Sequence, residues 1–116
     1  MRAATLCRSG VAAAKHGLEM RRETPGLETA KEPITCNAIC PGYVRTPIEE
    51  KQIPDTMKEY GMTREEVIND VMLTRQPSRE FATVKQMGGT ATFLCSDAAA
   101  QITGTTISVD GGWTAL

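Results

Sequence analysis

Only two stretches of this chain have the composition of β-strands, and they lie far apart. Residues 34–39 (Ile-Thr-Cys-Asn-Ala-Ile) are β-prone and bounded by Pro33 and Pro41-Gly42. Residues 105–109 alternate up to the turn Asp110-Gly111-Gly112. Two short strands alone make a marginal sheet. Helix signals fill the space between them. Thr63-Arg64-Glu65-Glu66 and Thr83-Val84-Lys85-Gln86 have capping-box spacing and predict helices over residues 64–75 and 84–95. Gly88-Gly89 weakens the second by roughly 1 kcal/mol per glycine relative to alanine. The Ala-rich residues 3–17 predict another helix, extended by residues 19–22, with Pro25-Gly26 expected to break or kink it. Residues 41–62 hold Pro41, Gly42, Pro47, Pro54 and Gly61, which predicts a long irregular stretch with at most short helices. The order helix, strand, helices, strand is half of an α/β layered unit. The expected fold class is therefore α/β, and the chain reads as part of a larger sheet.

Bulk properties narrow the function classes. A length of 116 residues suits one domain. Hydrophobic residues make up 41% and charged residues 23%, as in an ordinary globular chain. A net charge of -1 gives no reason to expect nucleic acid or an anionic membrane as partner. No apolar run approaches the roughly 20 residues that span a bilayer. Cys7, Cys36, Cys40 and Cys95 form no Cys-x-x-Cys pair and stand beside a single histidine, so no metal site is expected. Reduced, buried thiols of a cytoplasmic protein are the expected reading.

A strand running into Asn37-Ala38-Ile39-Cys40-Pro41-Gly42-Tyr43-Val44-Arg45-Thr46 resembles a hallmark of the short-chain dehydrogenase/reductase family. A second hallmark is Phe93-Leu94-Cys95-Ser96-Asp97, followed by Ile102-Thr103-Gly104 and Val109-Asp110-Gly111-Gly112-Trp113. Residues 27–30, 50–54 and 112–115 are similar to the bacterial D-3-hydroxybutyrate dehydrogenase branch, so the resemblance covers roughly residues 8–116. It implies the C-terminal part of a Rossmann-type doubly wound parallel sheet, with the N-terminal nucleotide-binding strands missing. Residues 1–116 would then be a single partial domain.

The resemblance also implies an activity: NAD-dependent interconversion of D-3-hydroxybutyrate and acetoacetate. The family uses a tyrosine as acid/base and a lysine four residues later that lowers its pKa and holds the nicotinamide ribose. Lys15 takes the lysine position and is the implied catalytic and cofactor-binding residue. A solvated helix lysine is the ordinary alternative, and both readings stay open. Val11 occupies the tyrosine position and has no ionisable proton. Pro41, Gly42, Val44 and Thr46 match the loop beside the nicotinamide end of the cofactor, the alternative being an ordinary turn after a strand. Arg8 and Gln52 match positions that grip the substrate carboxylate. Tyr43 and Trp113 match aromatic walls of the pocket. Singly, these four read as surface polar or packing residues.

The departures carry consequences. No Gly-x-x-x-Gly-x-Gly loop occurs in the sequence. Residues 18–26 (Leu-Glu-Met-Arg-Arg-Glu-Thr-Pro-Gly) replace an apolar family helix that packs on the sheet and on a partner subunit. Loss of the acid/base alone lowers rates by on the order of 10²–10⁴. The isolated chain is therefore expected to be inactive. The alternative is a non-catalytic fragment or pseudo-enzyme that acts as an oligomerisation partner of a full-length dehydrogenase. The expected partners are a small hydroxy acid and further copies of the chain or a full-length paralogue, without nucleic acid or membrane.

Overall fold

The structure is a computed structural model and describes residue 17 and residues 23–115. It forms two compact units. One holds the described residues up to Ala38 together with Leu94–Ile107. The other holds Ile39–Phe93 and the residues from Ser108 on.

In the first unit, helix α1 (Glu23–Glu28) includes Pro25 and Gly26, where a break or kink was expected. Proline is tolerated in a first turn because its missing N–H would have had no helical partner there. Gly26 is buried, and a Cβ on it would meet the Gly104 backbone N at 3.0 Å and Thr103 Oγ1 at 3.2 Å. The glycine thus lets α1 approach the Thr103-Gly104 backbone. The chain then enters strand β1 (Ala38–Pro41), which pairs in parallel with β2 (Thr106–Val109). The expected strand began four residues earlier. Side chains explain the delay. Cys36 N–H donates to Thr103 Oγ1 at 3.1 Å, and Asn37 Nδ2 donates to the Ile102 carbonyl at 2.7 Å. Asn37 Oδ1 in turn accepts from Thr105 N–H at 3.2 Å. These bonds hold the approach to the sheet before the first ladder bond, Ala38 N–H to the Thr105 carbonyl at 2.9 Å.

In the second unit, Gly42 N–H donates to the Val109 carbonyl at 3.1 Å and closes the pairing. Residues 47–60, expected to be irregular, form the 14-residue helix α2 (Pro47–Tyr60). Its prolines are compatible with that. Pro47 sits at the helix start, where φ near −65° is an advantage, and Thr46 caps the N-terminus. Gly61 ends it at φ +65°. Only Pro54 lies inside, and the neighbouring Ile53 is buried.

The Thr63 capping box forms as expected and starts α3 (Arg64–Glu66). Instead of continuing to residue 75, the chain widens into a π-helix over Val67–Met72, closed by Leu73 N–H on the Ile68 carbonyl at 2.8 Å. The wider turn places Val67, Met72 and Leu73 in one buried cluster with Ile53. Tyr43, Met57, Met62, Ile68 and Phe81 pack around it. The second capping box also forms: Gln86 N–H reaches Thr83 Oγ1 at 3.1 Å, and Thr83 N–H reaches Gln86 Oε1 at 2.8 Å. It starts α4 (Val84–Leu94). Among the described residues no helix is long and apolar enough to cross a membrane.

Candidate functional site

Strand β1 delivers Pro41, Gly42 and Tyr43 at its carboxyl end, the end at which parallel sheets of this class bind ligands. Strand β2 delivers the turn Asp110-Gly111-Gly112 and Trp113 from beside it. The two aromatic residues meet. Tyr43 and Trp113 stack with ring centroids 5.9 Å apart and planes 18° from parallel. Phe81 meets Tyr43 edge-on at 6.4 Å and 89°. Offset stacking and edge contact are the arrangements that aromatic quadrupoles favour. Next to the stack lies a cavity of about 230 Å³, lined by Cys40, Pro41, Gly42, Asp110, Trp113 and Thr114.

Asp110 fixes the turn that carries Trp113. Its carboxylate accepts from Gly112 N–H at 3.0 Å, from Thr114 N–H at 3.0 Å and from the Thr114 hydroxyl at 2.8 Å. The hydroxyl bond of Thr114, followed by these backbone donors, holds the Asp110 carboxyl below its ordinary range. Gly111 and Gly112 stand at φ +60° and +91°, which side chains rarely adopt.

The least expected feature lies beneath. Gln76 is 1% exposed, yet nothing in its sequence context marks it. Its Oε1 accepts from Tyr43 N–H at 3.1 Å, and its Nε2 donates to the Glu80 carbonyl. An N–H can only donate and a carbonyl can only accept, so the amide has one possible orientation. Gly42 lies directly against it: a Cβ there would sit 2.5 Å from Gln76 Oε1 and 2.9 Å from Asp110 Cα. Gly111 abuts it too, a Cβ there coming within 2.7 Å of Gln76 Cγ.

Of the site residues singled out in the sequence, Gly42, Tyr43 and Trp113 come together, with Pro41 on the same cavity. Val44 turns to pair with Ala82 in a parallel bridge. Thr46 serves α2: its oxygen accepts from Ile48 N–H at 3.3 Å and its proton goes to Glu49. Gln52 is exposed on α2, and neither it nor Thr46 lines the cavity. Arg8, Val11 and Lys15 lie outside the described residues. Cys36 and Cys95 are not in disulfides. Among the described residues no group of His, Cys, Asp and Glu is placed to hold a metal ion.

A family profile described as enoyl-(acyl carrier protein) reductase matches residues 4–114. The D-beta-hydroxybutyrate dehydrogenase of Rhizobium meliloti (strain 1021) is 54% identical over 108 residues, 93% of this chain and 42% of that protein. The enzyme of the same name from Cupriavidus necator is 41% identical over the same shares. A solved putative 2-deoxy-D-gluconate 3-dehydrogenase from Agrobacterium tumefaciens, with bound NADP, superposes at a TM-score of 0.74 with 35% identity. That match covers 90% of this chain and 38% of the other. The chain thus spans well under half the length of the relatives it matches.

Proposed function

This chain belongs to the short-chain dehydrogenase/reductase family, and from that premise we propose that it forms the hydroxy-acid side of a D-3-hydroxybutyrate dehydrogenase site. The carrying observation is the Tyr43–Trp113 stack beside the cavity at the end of β1. Trp113, backed by Tyr43, and a glycine backbone make a small, largely apolar pocket, suited to a four-carbon acid whose carboxylate is gripped from outside the stack. By the family resemblance alone, Gln52 and Arg8 would supply that grip, an arginine offering a planar fork of donors.

The cofactor is a nicotinamide nucleotide, which supplies the hydride acceptor when bound. The residues present fit its nicotinamide end. Pro41 and Gly42 expose backbone to the cavity, and Trp113 offers a flat wall. Val44 and Thr46 continue the same loop, and Lys15 would hold the ribose. NAD is preferred through the resemblance to the hydroxybutyrate dehydrogenases, although the Agrobacterium neighbour carries NADP. With Val11 at the acid/base position, no proton is available four residues before Lys15. Binding therefore survives in this chain while turnover does not.

The test follows NADH formation by the purified protein with D-3-hydroxybutyrate and NAD, alongside the emission of Trp113. The expected result is a saturable change in emission without NADH. NADH formation above a protein-free blank would overturn the inactive reading. Unchanged emission in a folded sample would overturn the hydroxy-acid reading.

A second reading has its own observation. None of the 11 residues of α4 is buried, and Val84 and Phe93 are 64% and 44% exposed. A helix with exposed apolar side chains and no buried residue suits assembly with another copy or with a full-length dehydrogenase. Co-elution with such a dehydrogenase, lost in Val84→Glu, would support this reading.

A further inference from the structure

We infer that Gln76 is a positioning residue that holds the Tyr43–Trp113 wall in place. Three observations meet on this one side chain. It is 1% exposed, which a primary amide tolerates only when its polar atoms are paired. It is paired at both ends, to Tyr43 N–H and to the Glu80 carbonyl. It also lies under two glycines that follow different strands, Gly42 after β1 and Gly111 after β2, each leaving no room for a Cβ against it.

Its role follows from what hangs on each contact. Tyr43 N–H belongs to the residue whose ring forms one face of the stack. Gly111 belongs to the turn that carries Trp113, the other face. Ser78 N–H donates to the Gly111 carbonyl at 3.0 Å, so the loop beginning at Gln76 holds that turn a second time. Gln76 is thus the shared footing of both rings and does not itself line the cavity that Trp113 lines.

Trp113 is the only tryptophan, so its emission reports the stack without any ligand. Tyr43→Ala supplies the unstacked reference. Gln76→Met keeps the volume and removes both hydrogen bonds, and is expected to reproduce the Tyr43→Ala emission with helix content unchanged. Gln76→Glu provides a reversible version should Gln76→Met fail to fold. A protonated carboxyl can donate to the Glu80 carbonyl and accept from Tyr43 N–H, as the amide does, whereas a carboxylate cannot donate. Burial raises the pKa of such a carboxyl. Gln76→Glu should therefore emit like wild type on the acid side and like Tyr43→Ala on the alkaline side, with no matching step in wild type.

A folded Gln76→Met with wild-type emission, or a Gln76→Glu emission that ignores pH, would overturn the inference. So would a Tyr43→Ala emission identical to wild type. The consequence for substrate rests on the proposed function. There, Gln76→Met should lower D-3-hydroxybutyrate affinity, read as a right-shifted titration of the emission change. Because the emission test uses no substrate, a failure of the positioning role and a failure of the hydroxy-acid reading are told apart.

Discussion

Gly42 has no room for a side chain, and the reason lies in its own chain. A methyl there would press on Gln76 Oε1 and on the Asp110 backbone, neither of which can retreat. Gly42→Ala should therefore cost about 1–3 kcal/mol, the range for overpacking a filled site, read as a lower denaturant midpoint. Asp110 carries the pH dependence of the same region. Its folded pKa lies below the ordinary 3.8, so the stability it adds is fully present above that value. That stability is lost as pH falls through the lowered value. Trp113 emission should shift on that acid side in wild type. In Asp110→Asn it should be displaced already at neutral pH and lack the acid step. The glycine-bearing turns at residues 41–42 and 110–112 were legible in the sequence because each belongs to a recognisable motif. Gln76 was not, because a lone glutamine in a loop has no periodicity, charge or turn chemistry to announce its burial.

Elements differ in the same way. Both capping boxes were readable, since the signal is local and four residues long, and both form. Thr63→Ala should lower stability by about 1 kcal/mol, read as a lower denaturant midpoint. The bond from Thr63 N–H also holds the Glu66 carboxyl below its ordinary value, so the effect of this box fades as pH falls through that lowered value. Gly88 behaves oppositely to Gly42. It sits inside α4, and a methyl on its Cα would meet nothing within 4 Å. Gly88→Ala should raise stability by about 0.5–1 kcal/mol, through the helix propensity alone. Helix α2 was hidden by its prolines, although one of them occupies the favoured first position and Thr46 and Gly61 mark its two ends. The π-helix was hidden for a deeper reason. Its extra residue per turn answers to the packing of Val67, Met72 and Leu73 around Ile53, which is tertiary information. The late start of β1 has a similar origin, because the Asn37 amide substitutes for ladder bonds with a segment 65 residues away.

At the scale of the whole molecule, the two strand signals proved sufficient to recognise an α/β chain with a short parallel sheet, and the two hallmark motifs to recognise the family. What the sequence lacked was any means of showing how the strand ends converge. The parallel pairing of β1 and β2 brings residues 43 and 113 into one stack although 70 positions separate them. The proposed function rests on that stack being the wall of a hydroxy-acid pocket. The most direct test is to titrate the folded protein, with NAD present, against D- and L-3-hydroxybutyrate while recording Trp113 emission. A saturable change with the D form, weaker with the L form and absent in Tyr43→Ala, is the predicted result. Emission that responds to neither enantiomer, or equally to both, would contradict it.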